Sequence, residues 1–339
     1  MKLNSSSFRH AAAILFSVGL SAGLLAFMLH ALDWASFRQE LSRVKLAYLP
    51  LLILLMMGLM VVRALRWREL LPAEGRASLR DLLDATLLGF FASFVLPLRA
   101  GEVVRPWALT RWQPVSFSTS LASVVAERMW DALTLLIFLD TTLVQLESVP
   151  EAVQVGARAL GGICVVLFGL IIACYTAPDF LPRQAGRWLR RLGPHRSALA
   201  ERVERTLRNF IGGLRVVQGP WHIARVALLS AALWLLMAVW YQVALWAFGE
   251  HPSWQVGMLL NLMIALAVAA PSAPGFIGTF QAGCLLALTA MSGYPREFAV
   301  AYSVVAHALQ MAVVLVAGGL VLQLRGLRFA QLRTSQPPA

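Results

Sequence analysis

The sequence predicts an all-α fold: a polytopic integral membrane helical bundle. Three observations carry this. Of the 339 residues, 59% are hydrophobic and only 14% charged, and the mean hydropathy is +0.69; a soluble domain carries about a quarter charged residues. Several apolar stretches approach or exceed the roughly 20 residues that take a helix across about 30 Å of hydrocarbon. A helix also satisfies its own backbone polar groups in lipid, whereas a barrel needs alternating segments of about ten residues, and none is seen.

The apolar segments run over 10–32, 46–64, 82–98, 116–146, 152–176, 222–248, 255–273, 275–292 and 298–323. The first follows Lys2 and Arg9. It exceeds the 7–15 residues of a typical signal core and lacks a clear small-x-small cleavage site, so it is expected to remain as an uncleaved first span. Positive-inside counting places the N-terminus in the cytoplasm, together with the 63–80 connection that carries Arg63, Arg66, Arg68, Arg76 and Arg80. The Arg-rich loop 177–221 and the tail with Arg325, Arg328 and Arg333 belong on the same side.

Parity then constrains the remaining segments. If 82–98, 116–146 and 152–176 all crossed, the 177–221 loop would lie outside. A re-entrant hairpin over 82–112, entering from the cytoplasm and returning there, restores the count. Segments 255–273 and 275–292 must jointly start and finish outside, either as two full crossings or as a second broken hairpin over 255–292 with "PSAPGFIG" (271–278) at its tip. Irregular backbone at membrane depth is tolerated where it is buried in protein or lines a wet cavity, and paired broken helices are how many transporters build a site. Residues 1–325 are expected to form a single transmembrane domain and 326–339 a short cytoplasmic tail. Within the 177–221 loop, the stripe Leu199, Val203, Leu207, Phe210, Leu214 and Val217 predicts an interfacial helix over 199–217.

Charge inside such a chain is costly, about 2.5–3.5 kcal/mol per group at mid-depth on insertion scales, so intramembrane charges are the functional candidates. Arg99, Glu102 and Arg105 recur at intervals of three, and Pro97, Gly101 and Pro106 beside them interrupt regular hydrogen bonding. Glu127, Arg128 and Asp131 lie within one turn of helix, where they partly neutralise one another and leave a negative charge seeking a partner such as Arg99 or Arg105. Arg63 and Arg66 share a face at the end of the second span, placed either to snorkel or to hold a lipid phosphate. Pro271, Pro274, Gly275, Gly278 and Gln281 supply a second break without charge.

Other chemistry lacks a signature. Cys164, Cys174 and Cys284 sit in apolar stretches without metal-ligand spacing, and the six histidines are scattered. No metal site or cofactor is expected. No nucleotide loop, nucleophile elbow or soluble catalytic domain is visible, so the chain is not expected to be an enzyme. The formal net charge of +12 points to cytoplasmic loops and anionic headgroups rather than nucleic acid.

"RALRWRELL", "GFFASFVLPLRAGEVVRPWAL" followed by "SLASVVAERMWDAL", and "PSAPGFIGTFQAGCLLALTAMSG" together resemble the flippase-like transmembrane domain of lysylphosphatidylglycerol synthases and its free-standing YbhN-, AglD- and UPF0104-type relatives. The resemblance covers nearly the whole chain, and its R-x-x-R-W, P-x-R-x-G-E and E-R-x-x-D elements are specific in combination. It implies lipid handling, and it places the functional cluster on the eight charged residues from Arg63 to Asp131 named above, with the second break at Pro271, Pro274 and Gly275. The fused relatives carry an aminoacyl-transferase domain, for which this chain has no room after its last span.

The resulting expectation is a flippase in the bacterial inner membrane, both termini cytoplasmic. It would move an anionic or modified phospholipid or glycolipid between leaflets, with Arg99 and Arg105 on the headgroup. The alternative is a non-transporting membrane partner of a lipid-modifying or glycosyl-transferring enzyme.

Overall fold

The computed structural model describes residues 19–333 apart from 27, 31, 73–76, 98, 144–150, 192–196, 215–218, 271 and most of 152–176. Pro271, Cys164, Cys174 and Glu147 therefore lie outside the described residues, as do most of the 152–176 segment and the end of the tail. Among the described residues every regular element is helical.

After helical residues 19–26 come α1 (Trp34–Ser42), α2 (Leu49–Glu69), α3 (Leu79–Val95), α4 (Gly101–Trp112) and α5 (Phe117–Leu143). Next are α6 (Phe180–Arg191), α7 (Ser197–Leu214), α8 (Pro220–Ala247), α9 (Trp254–Ala269), α10 (Thr279–Leu285), α11 (Arg296–Leu324) and α12 (Phe329–Arg333). A 3₁₀ turn at Leu46–Tyr48 leads into α2, and the segments Leu46–Glu69, Pro220–Ala247 and Arg296–Leu324 are long and apolar enough to cross a membrane. α5 has 27 residues, about 40 Å of helix, and carries Glu127, Arg128 and Asp131 within it.

The two interrupted regions are both short helical pairs. α3 and α4 have 17 and 12 residues, about 25 Å and 18 Å, and form a tightly packed hairpin. α9 has 16 residues, about 24 Å. It packs on α10, which continues through a π-helical turn at Leu286–Ala290. The two helical pieces of 255–292 are thus separated by an irregular turn at 270–278.

Sequence explains where each break falls. Leu96, ahead of Pro97, is pushed out of the helical region to ψ 148, and Ala270, ahead of Pro271, to ψ 150. Pro106 does not break the chain as expected: it sits inside α4, where its cost is confined to the carbonyl of Glu102 four residues earlier.

Glycines let the pairs close. A Cβ at Gly101 would stand 1.9 Å from the Gly89 carbonyl oxygen, and one at Gly283 would stand 2.6 Å from the Ile264 Cα. Only a residue without a side chain fits such a backbone approach.

The bundle has two ends marked by bonds. At one end His222 Nε2 lies 2.7 Å from the Glu69 carbonyl oxygen, and Arg325 Nη2 donates to Asp81 Oδ1 at 2.5 Å. At the other, the Lys45 N–H donates to the Ala247 carbonyl at 2.7 Å, and Arg43 meets Glu250 at 3.2 Å. The feet of the α3–α4 hairpin lie at the first end, those of the α9–α10 pair at the second. The two pairs thus enter the bundle from opposite ends, and their tips meet between α2, α5, α8 and α11.

The cytoplasm-predicted region differs from expectation in one respect. α7 begins two residues before the predicted 199–217 helix and packs against α5. A second amphipathic helix, α6, precedes it and was not anticipated.

Candidate functional site

The tips of the two pairs are strained in the same way. Arg99 has φ 52 and Phe276 has φ 60, the two described non-glycine residues with positive φ. That conformation costs of order 1–3 kcal/mol unless the surroundings hold it. Here they face each other: the Arg99 guanidinium lies 5.5 Å from the Phe276 ring centroid, and Phe94 meets Phe276 edge to face at 6.1 Å. Gly275, at φ 72, would bring a Cβ to 3.2 Å from the Phe94 ring. Pro274 opens this tip turn. Gly278, at φ 88, ends it by giving its N–H to Gln281 Oε1 at 2.8 Å.

Behind the tips lies a cavity of about 340 Å³, within the size range of small-ligand sites. Charged residues line it or stand behind its wall. Arg66, fully buried, reaches Glu127 Oε1 at 2.9 Å and Asp131 Oδ1 at 2.6 Å. Arg105 gives Nη1 to Glu127 Oε2 at 2.8 Å and Nη2 to Thr86 at 3.3 Å, and stacks 4.3 Å above Trp67. Trp67 is itself fixed through Nε1 to Ser123 at 2.7 Å. Both oxygens of Glu127 are therefore occupied, each by a different helix. Arg128 bridges Asp131 at 3.3 Å and, more loosely, Glu102 at 3.8 Å.

This assigns the predicted residues unequally. Of the two expected partners, Arg105 meets Glu127 and Arg99 meets neither carboxylate, while Arg66, not expected there, holds both Glu127 and Asp131. Arg66 does not snorkel; it ties α2 to α5. Despite their spacing of three, Arg99, Glu102 and Arg105 form no ion pair with one another, because Arg99 precedes the helix in a left-handed turn and Arg105 faces α5.

Arg63 and Arg99 both line the cavity, and among the described residues neither forms an ion pair. Arg63 lies 5.0 Å from the Phe90 ring centroid with its Nε buried and unpartnered. Counting the cluster, five guanidinium groups face three carboxylates. The excess of two positive charges sits in a compartment rich in apolar side chains.

Two residues the sequence reading passed over complete the wall. His307 and Gln310, one turn apart on α11, are buried at the cavity beside the Gly275 carbonyl and the Tyr241 hydroxyl respectively. A polar i,i+3 pair inside an apolar run of 26 residues was the available signal. Among the described residues no cluster of His, Cys, Asp and Glu suits a metal ion. Cys284 is a free, buried thiol.

Comparison with known proteins places this architecture. Residues 14–318 match the family model described as the lysylphosphatidylglycerol synthase TM region. The chain is 25% identical over 289 residues to glycosyltransferase AglD of Haloferax volcanii, covering 76% of this chain and 45% of that protein; it thus spans just under half the length of that relative. It is 21% identical over 311 residues to a UPF0104 membrane protein of Methanothermobacter thermautotrophicus, covering 88% of this chain and 90% of that protein. No solved structure matches it. With nine-tenths of its length inside the family model and the motif residues gathered at one cavity, the chain belongs to the lysylphosphatidylglycerol synthase transmembrane-region family.

Proposed function

We propose that this protein binds a lipid by its phosphate headgroup and exchanges it between leaflets. The observation that carries the reading is the unbalanced cluster: Arg63 and Arg99 stand without ion pairs in a cavity whose other charges are mutually satisfied. A guanidinium suits a phosphate through paired N–H donors, and two spare guanidinium groups can donate to the oxygens of one phosphate. Apolar walls such as Met60, Leu135, Leu233 and Val268 suit acyl chains at the cavity mouth.

In this reading α3–α4 is a re-entrant hairpin from the cytoplasm and α9–α10 its counterpart from outside. Both pairs are too short to cross about 30 Å of hydrocarbon twice, and their feet sit at opposite ends of the bundle. The Arg-rich end is cytoplasmic, which puts both termini in the cytoplasm of a bacterium-like inner membrane. Residues 1–325 then act as one transmembrane unit, with Arg66, Arg105, Glu127 and Asp131 as its fixed frame and Arg63 and Arg99 as the headgroup ligands.

A second reading draws on a separate observation. α6 exposes Phe180, Leu181 and Trp188 beside Arg183, Arg187 and Arg190, a surface on which a lipid-modifying or glycosyl-transferring enzyme could dock. The name of the Haloferax relative fits a role beside such an enzyme.

The test is dithionite quenching of fluorescent phosphatidylglycerol in vesicles containing the purified protein. The protein should expose inner-leaflet probe well beyond the rate of empty vesicles. The pair Arg63→Gln and Arg99→Gln should return it to the empty-vesicle rate. Exchange by that double variant at the native rate would falsify the headgroup assignment; exchange unchanged by the protein itself favours the docking role.

A further inference from the structure

α6 carries a surface that the cavity leaves unexplained. Its sequence is FLPRQAGRWLRR, and at 3.6 residues per turn the side chains fall into three sectors. Pro182 and Gly186 are buried, and Gly186 leaves no room for a Cβ beside the Glu204 carboxylate of α7. On the outer side Phe180, Leu181 and Trp188 share one sector and are 57%, 40% and 64% exposed. Arg183, Arg187, Arg190 and Arg191 share the adjoining sector, and the helix has no carboxylate of its own.

The level of this face in the bundle is set through α7. Phe210 packs on the cluster of Leu70, Ala122, Ala126 and Val226. Leu70 directly follows α2, while Ala122 and Val226 lie about 8–9 Å inside the starts of α5 and α8. An amphipathic helix rests at a similar depth, about 5–10 Å into the boundary between headgroups and acyl chains. α6 runs antiparallel to α7: Asp179 meets Arg208 at 3.8 Å, and Arg190 meets Glu204 at 2.6 Å. Phe180 and Leu181 are thereby held beside the end of α7 that carries Phe210. At the same end of the bundle Trp221 and Ile223 are exposed in the first turn of α8, as aromatic and apolar side chains are where a span leaves the hydrocarbon.

An apolar sector beside a basic one, at this level, is the pattern of a helix lying in a membrane surface. The basic sector specifies which surface. Arg183 and Arg190 already lean on Asp179 and Glu204, while Arg187 and Arg191 hold no ion pair among the described residues and attract a negatively charged headgroup layer. A soluble protein docked on this face would compete with lipid for the same level of the bundle.

We infer that α6 is an anionic-lipid-binding helix: Phe180, Leu181 and Trp188 enter the leaflet at the arginine-rich end of the bundle, and the adjoining arginines bind the phosphates of negatively charged headgroups there. This surface is separate from the cavity, so the inference stands or falls independently of the reading of Arg63 and Arg99.

Position 188 reports insertion directly. In a cysteine-free background, Trp188→Cys takes an environment-sensitive nitrobenzoxadiazole label. The full chain is then placed in vesicles of phosphatidylcholine alone, or of two parts phosphatidylcholine to one part phosphatidylglycerol. Both leaflets have the same composition, so the orientation of the protein in the vesicle does not matter. With phosphatidylglycerol present, the label should emit to the blue of its emission in water and be quenched by lipid that carries a spin label on its acyl chain. In phosphatidylcholine alone the inserted fraction should be smaller. One arginine near an anionic surface is worth about 5-fold in the ratio of inserted to lifted helix. Arg187→Gln combined with Arg191→Gln should therefore lower that ratio about 25-fold in the mixed vesicles and leave it unchanged in phosphatidylcholine.

A label that stays in water in both vesicles overturns the inference and leaves the face to a soluble partner. Insertion that is equal in both compositions and indifferent to the arginine changes also overturns it, leaving an apolar anchor that reads no charge. The comparison of compositions keeps the native arginines, so it decides the matter even where the double variant fails to fold.

Discussion

Glu127 has two jobs that a single carboxylate rarely combines. It holds Arg66 with one oxygen and Arg105 with the other, so removing its charge strands two buried guanidinium groups from different helices. Breaking a buried pair typically costs about 3–5 kcal/mol, because the surviving charge remains desolvated. Glu127→Gln should therefore unfold at a markedly lower temperature in detergent, whereas Arg63→Gln, which breaks no ion pair, should unfold close to the native temperature while losing lipid binding. Equal losses of stability in both would dissolve the division between frame and ligand. This division was not legible beforehand. Cost arguments picked out all eight charged residues, and all eight gather at the cavity or its frame. Which of them neutralise each other depends on contacts between α2, α4 and α5, and sequence spacing reports only contacts within a helix. His307 was passed over for a related reason: a neutral side chain in an apolar run raises no charge alarm.

At the scale of elements, the informative feature is how the α3–α4 hairpin is tied at its feet. Asp81 accepts from Ser78 at 2.8 Å, from Gln113 at 2.5 Å and from Arg325 at 2.5 Å. Arg325 also donates through Nε to Asp84 at 2.7 Å and lies 4.3 Å above the Trp112 ring. One arginine at the end of α11 thus joins both arms of the hairpin. Burial alone would raise the Asp81 carboxyl, but its hydrogen bonds and the nearby Arg325 charge outweigh this and hold it below the ordinary 3.8. A depressed folded value stabilises the fold above the unfolded value, and that contribution disappears as pH falls through the folded one. The difference in unfolding temperature between the native protein and Asp81→Asn should be present at neutral pH and shrink below about pH 4; a difference that persists in acid would mean the carboxylate charge contributes nothing. The helix breaks themselves were readable from the proline positions. The closure of α3 on α4 was not, because it depends on Gly89 facing Gly101, two glycines twelve residues apart that become neighbours only after the turn.

For the whole molecule, the bonding gathers at one end of the bundle the segments that arginine counting assigns to one side. Arginine counting put the 63–80 connection, the 177–221 loop and the C-terminal tail on one side. The bonds from His222 to Glu69 and from Arg325 to Asp81 and Gln113's partnership with Asp81 gather the corresponding helix ends. The contacts of Lys45 with Ala247 and of Arg296 with the Met28 carbonyl gather the others. In the proposed arrangement a membrane across this bundle leaves the α4–α5 connection and the α8–α9 connection on opposite sides. Ser116 and Ser253 are exposed in those two connections. In a cysteine-free background, Ser253→Cys should react with an impermeant maleimide in intact cells, and Ser116→Cys only after the membrane is opened. Labelling of both Ser116→Cys and Ser253→Cys from outside would make α3 an ordinary crossing. Arg99 would then sit near the outer surface rather than at the junction of two dipping hairpins, and the lipid phosphate would lose its enclosed site. The reverse pattern, Ser116 open and Ser253 closed, would keep the hairpins but invert the protein, setting the arginine-rich end against the wrong leaflet.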